Sequence, residues 1–132
     1  MIKIAICDDE KIEQNRAEIK IKEIFERVNE EFKIWTYSSG EKLVSEAVDC
    51  GFDIVFLDID MPVFSGMDVA AFLNEKRPNA ILVFVTSHDA LVKESFAYRP
   101  FGFVRKTHLN EELQEVYTPV FCAGGREHGL DA

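Results

Sequence analysis

The stretch Asp53-Ile54-Val55-Phe56-Leu57-Asp58-Ile59-Asp60-Met61-Pro62 decides the fold. A short unbroken apolar run bounded by turn residues reads as a strand buried on both faces. This one ends in a carboxylate, Asp58, followed by a turn-rich loop that runs on to Ser65-Gly66 and leaves the carboxylate accessible. Three other apolar runs also end in polar residues. Ile2-Lys3-Ile4-Ala5-Ile6-Cys7 gives way to Asp8-Asp9-Glu10, Ile81-Leu82-Val83-Phe84-Val85 to Thr86-Ser87, and Phe101-Gly102-Phe103-Val104-Arg105 to Lys106. In an open parallel α/β sheet, ligands sit outside the carboxyl ends of the strands. These residues therefore converge on one pocket, and carboxylates, a hydroxyl and an ammonium together suit Mg²⁺ and a phosphoryl group.

Helical patterns fill the gaps between the runs. Lys11 to Val28 carries Ala17, Ile21, Ile24, Phe25 and Val28 at helical spacing. Phe32 to Tyr37 alternates as a short strand does. Ser39 to Asp49 predicts a helix with Leu43, Val44, Ala47 and Val48 inward, closed by Gly51. Gly66 to Lys76 predicts a third helix, stopped before Pro78; His88 to Tyr98 a fourth; and Leu109 to Tyr117 a short fifth. Five β-α repeats imply an α/β fold: a doubly wound, five-stranded parallel sheet with right-handed crossovers and helices on both faces. The boundaries expected are a domain over 1–117 and an irregular tail or truncation remnant over 118–132, where Pro119, Gly124-Gly125 and Gly129 break the pattern.

A chain of 132 residues holds one domain with a full core. Its net charge of −9 argues against this chain alone gripping nucleic acid, which needs clustered Lys and Arg. No apolar run reaches the roughly 18 residues needed to span a membrane, and the first residues read directly as a strand, with no secretory signal, so a cytoplasmic location is expected. Cys7, Cys50 and Cys122 form no CxxC pair and no zinc spacing. Cys7, inside an apolar run, reads as a small core residue.

Taken alone, Asp8-Asp9-Glu10 is also a plain helix start, because acids favour the first turn. With Asp58, Thr86 and Lys106 at matching strand ends, a metal and phosphoryl site accounts for more. Converging carboxylates repel one another in a partly buried pocket, and a divalent cation relieves the repulsion. A carboxylate such as Asp58 can attack phosphorus to give an aspartyl phosphate. Lys106 could then pair with the phosphoryl oxygens, and Thr86 could donate its hydroxyl.

Over about Ile2 to Tyr117 the chain resembles the receiver domain of two-component response regulators. The resemblance rests on Asp8-Asp9, the block Asp58-Ile59-Asp60-Met61-Pro62 with Gly66, the hydroxyl of Thr86, and Lys106, in that order at βα spacing. It implies a flavodoxin-like fold with strand order 2-1-3-4-5. It further implies that Asp58 accepts a phosphoryl group from a sensor histidine kinase, that Asp8, Asp9 and Asp58 bind Mg²⁺ with the backbone carbonyl of Asp60, and that Thr86 and Lys106 contact the phosphate. Phe103 matches the family's aromatic switch position, coupled to Thr86. Such a domain is no enzyme toward other substrates; at most it phosphorylates itself and slowly loses the group. The segments Thr86 to Asp89 and Phe96 to Lys106 look most like receivers of the LytTR class, which usually precede a DNA-binding domain. Transcriptional control would then run through an output domain outside this chain, and DNA would be a partner only through it. A homodimer through the helix 4–strand 5–helix 5 face is a further partner the resemblance allows, although the fifth helix is short. The chain departs from the family at Thr107, where a proline usually follows the lysine.

Two rival readings use the same residues. A degenerate receiver would act as a binding module without phosphorylation. Asp58-Ile59-Asp60 is also a DxD, the nucleophile motif of haloacid-dehalogenase-type phosphatases, but that motif usually follows the first strand and leaves Asp8-Asp9 unexplained.

Overall fold

The computed structural model describes residues 1–27, 30–59, 61 and 64–86, together with the backbone of 102–105. The elements are β1 (Ile2–Cys7), α1 (Lys11–Arg27), β2 (Phe32–Tyr37), α2 (Gly40–Cys50), β3 (Ile54–Asp58), α3 (Gly66–Lys76), β4 (Ile81–Thr86) and β5 (Gly102–Arg105). All strand pairs are parallel, in the order β2-β1-β3-β4-β5. The order reverses at β1, which lies between β2 and β3. The helices expected over His88–Tyr98 and Leu109–Tyr117, and the tail 118–132, lie outside the described residues.

Each continuous apolar strand serves two cores, because successive side chains point to opposite faces. Ile2, Ile4 and Ile6 of β1, Ile54 and Phe56 of β3, and Ile81, Val83 and Val85 of β4 pack with Ala17, Ile21, Ile24 and Phe25 of α1. The alternate residues, Ala5, Cys7, Val55, Leu57, Leu82 and Phe84, pack on the other face with Leu43 and Ala47 of α2 and Val69, Ala70 and Leu73 of α3. Helices therefore cover both faces. Phe84 is among the largest fully buried side chains, at the centre of the second core. Phe84→Ala is expected to cost about 3–5 kcal/mol through lost burial and the cavity left behind, read as a lower urea midpoint with an unchanged m-value.

Local sequence sets the helix ends. Ser39 is the N-cap of α2, its hydroxyl accepting from the Lys42 N–H, and Gly51 closes the helix at φ 64°, a left-handed conformation that favours glycine. At α3, Ser65 and Asp68 bond reciprocally as a capping box. One expectation for α2 fails: Val48 is 48% exposed. At about 100° per residue, Leu43 and Ala47 lie within about 40° of each other, Val44 flanks them, and Val48 falls about 140° from Leu43, off the packed stripe.

Among the described residues, no helix is long and apolar enough to cross a membrane.

Candidate functional site at the carboxyl ends of the strands

β1 and β3 carry the acidic residues to one place. Their register ends at Cys7 opposite Leu57, so the next residues, Asp8 and Asp58, stand level on strands about 4.8 Å apart. Both are buried, at 4% and 3% exposure, so the loop after Asp58 does not leave that residue open as its turn-rich sequence suggested. Asp58 is the register partner of Val85 on β4, and Thr86, the next residue, is fully buried at the end of that strand. The structure thus brings Asp8, Asp58 and Thr86 to adjacent strand ends where the strand order reverses.

After Asp8 the chain turns sharply into α1. The Asp8 carboxylate accepts from the Glu10 N–H at 2.9 Å, an Asx turn that starts the helix. Asp9 and Glu10 are exposed, and carboxylate oxygens of Asp8, Asp9 and Glu10 all lie within 4.8 Å of one another. These are hard oxygen donors, the set that Mg²⁺ takes. Glu10 joins the cluster spatially although sequence reading assigned it no role.

The loop after Asp58 is held against α3. Gly66 donates its N–H to the Ile59 carbonyl at 3.1 Å, and Met61 does so at 3.2 Å. A Cβ on Gly66 would stand 2.2 Å from the Asp58 carbonyl oxygen. Only a residue without a side chain lets α3 start this close behind Asp58.

Cys7 lies beneath the cluster, 1% exposed, with its Sγ 3.7 Å from the Met61 sulfur. Burial pushes its thiol up from 9.0 to about 12, and the charges of Asp8, Asp58 and Asp9 push the same way. Below pH 9 the thiol is neutral in both folded and unfolded chains, and its contribution to stability is intact. Between pH 9 and 12 the unfolded chain ionises and the folded one does not, so stability falls by about 1.4 kcal/mol per pH unit. Tyr37 adds to the alkaline loss with the same sign, since burial and a 2.6 Å hydrogen bond to Glu46 push its phenol up. The urea midpoint should therefore drop steeply above pH 9 in wild type and less steeply in Cys7→Ala; equal slopes would remove Cys7 as a cause.

Sequence reading missed Gln14. It is 1% exposed on the inner stripe of α1, and its side-chain amide donates to the carbonyls of Tyr37, at 2.8 Å, and Asp8, at 3.3 Å. The signal was available: Gln14 precedes Ala17 by three residues and Ile21 by seven, so a polar side chain occupies a core-facing helical position. Asp60, Lys106 and Thr107 lie outside the described residues, and of Phe103 only the backbone, in β5, is described.

The model of the response regulator receiver domain family matches residues 4–118. The chain belongs to this family. The receiver is similar to the sensory transduction protein LytT of Bacillus subtilis, with 25% identity over 115 residues, 87% of this chain and 46% of that protein. It therefore spans under half of that curated relative. Among solved structures, the REC domain of AraT, a response regulator from Geobacillus stearothermophilus, superposes with a TM-score of 0.84 at 23% identity, covering 96% of this chain and 98% of that one. This likeness, with the parallel sheet, gives the receiver its flavodoxin-like fold. The response regulator TrrA from Thermotoga maritima, solved in complex with Mg²⁺ and BeF, gives a TM-score of 0.73 at 27% identity over 91% of this chain and 99% of that one.

Proposed function

We propose that this receiver takes a phosphoryl group onto Asp58 from a sensor histidine kinase, in a Mg²⁺-dependent reaction. The observation that carries the reading is the level placement of Asp58 beside Asp8 on adjacent strand ends, with Asp9 and Thr86 next to them. The donor set fits the metal: Asp8, Asp9 and Asp58 would hold Mg²⁺, with the Asp60 carbonyl as the family resemblance implies. Bound Mg²⁺ would neutralise charge on the carboxylates and on the incoming phosphoryl oxygens. TrrA, which binds Mg²⁺ together with BeF, supports the assignment.

In the transfer, an Asp58 carboxylate oxygen attacks phosphorus, the bond from phosphorus to the donor imidazole nitrogen breaks, and the imidazole leaves with the bonding pair. The product is a mixed anhydride on Asp58. Thr86 donates its hydroxyl to one phosphoryl oxygen and Lys106 pairs with another. Phe103 then turns inward behind Thr86, and the surface around Leu91 to Phe101 changes. Moving such an equilibrium from 1:99 to 99:1 needs about 5.5 kcal/mol. Two or three charge-assisted contacts of about 1.5–3 kcal/mol each supply it.

The protein acts as a phosphoacceptor and turns over no external substrate. Its output runs through a further domain of the LytTR type that binds DNA, in keeping with LytT being more than twice as long as the matched region. A homodimer through the face that includes β5 belongs to the same reading, as does a cytoplasmic location. The test is incubation with acetyl phosphate and MgCl₂ followed by intact mass. One phosphoryl adduct that disappears with EDTA supports the reading. A folded protein that takes no adduct is the degenerate binding module instead.

A further inference from the structure

We propose that Gln14 is a positioning residue for the metal-binding turn, fixing the Asp8–Asp9 peptide so that the Asp9 carboxylate faces Asp8. The inference rests on the reading of the acidic cluster as a Mg²⁺ site, and adds to it the part of the protein that sets its geometry.

β1 and β2 end side by side, with Cys7 opposite Tyr37. The sheet supplies one bond beyond that point, from the Asp8 N–H to the Tyr37 carbonyl at 3.1 Å. Beyond that point the chain turns from β1 into α1. Gln14 reaches the carbonyls of both strand ends. Its Nε2 donates to the Tyr37 carbonyl and to the Asp8 carbonyl, so one amide ties the ends of two strands to the first turns of a helix. Gln14 is itself held: its Oε1 accepts from the Lys11 ammonium at 3.0 Å, and its backbone N–H bonds to the Glu10 carbonyl at 2.9 Å. The amide therefore has both hydrogens and its oxygen committed, which fixes its orientation.

The consequence for the site is geometric. With the Asp8 carboxylate fixed by the Glu10 N–H and the Asp8 carbonyl fixed by Gln14, the peptide joining Asp8 to Asp9 has little freedom to rotate. The direction of that peptide sets where the Asp9 side chain leaves the backbone. An apolar residue at position 14 would fill the core equally well and leave the turn free. Partners one shell out from a metal's ligands commonly set affinity, and their loss costs roughly ten- to a hundredfold.

The test is calorimetric titration of MgCl₂ into wild type, Gln14→Met and Gln14→Glu, alongside acetyl phosphate labelling at saturating Mg²⁺. Methionine keeps the shape and removes both donors. Glutamate keeps the acceptor for Lys11 but adds a negative charge, which by charge alone would tighten Mg²⁺. The expected result is a Mg²⁺ Kd raised roughly tenfold or more in both variants, with the labelling rate at saturating metal unchanged. Unchanged affinity in folded Gln14→Met, or tighter binding in Gln14→Glu, overturns the role of Gln14 and leaves the receiver reading standing. A wild type that neither binds Mg²⁺ nor takes a phosphoryl group overturns that reading, and the proposal with it. A measurement on wild type decides the matter if the variants do not fold. The side-chain amide resonances of Gln14 should shift on Mg²⁺ titration with the calorimetric midpoint; resonances that stay put at saturating metal overturn the proposal.

Discussion

Asp58→Asn gives no phosphoryl adduct with acetyl phosphate at any Mg²⁺ concentration, under conditions that label the wild type. The amide is nearly the same size as the carboxylate but carries no anionic oxygen to attack phosphorus. The substitution also removes one of the charges crowded at the strand ends. Asp8 and Asp58 are both buried and stand level on adjacent strands. Repulsion between two such charges is on the order of a few kcal/mol at an effective dielectric near 20. In metal-free buffer the variant should therefore melt no lower than wild type, so loss of the adduct cannot be charged to unfolding. A residual adduct on the variant, mapped by peptide mass to Asp8 or Asp9, would move the acceptor elsewhere and sink the assignment of Asp58.

Gly66→Ala should damage the fold and the site together. The added Cβ would meet the Asp58 carbonyl oxygen at 2.2 Å, and the Asp58 carbonyl carbon and Ile59 Cα at 2.9 Å. All three are backbone atoms, so no side chain can swing aside. Either α3 moves outward and draws its own buried Val69, Ala70 and Leu73 out of the core, or the end of β3 shifts. Overpacking of this kind typically costs about 1–3 kcal/mol, and a clash with fixed backbone belongs at the top of that range. Because the displaced segment carries Asp58, the labelling rate should fall as well. A variant with wild-type urea midpoint and wild-type labelling would show that α3 can retreat freely, contrary to its burial.

Most of the architecture was legible because β1, β3 and β4 are buried on both faces. Their apolar runs are nearly continuous, broken only by Lys3 in β1, and each ends in the residue that matters. Strand order was not legible from periodicity, which says which residues are buried but not which strand lies beside which; it entered with the family resemblance. Gly66 was quoted as part of a motif, and the structure supplies its reason in the close approach to Asp58. Val48 was misjudged because the four apolar residues of this three-turn helix span more arc than the sheet covers. The position of Gln14 within the hydrophobic stripe marks it as buried but not what it bonds; its partners are carbonyls, which are the same at every position of the chain.

The interior place of β1, between β2 and β3, has a consequence during synthesis. Ile4 pairs with Ile54, so β1 leaves the ribosome well before its inner neighbour exists, a gap of about 3–10 s at about 5–20 residues per second. Through that interval the apolar Ile2–Cys7 segment offers an open edge, the kind that recruits other chains. Asp8, Asp9 and Glu10 follow it directly. Three like charges flanking a sticky strand act as gatekeepers against such pairing, so the acidic cluster guards the nascent chain before it has a metal to hold.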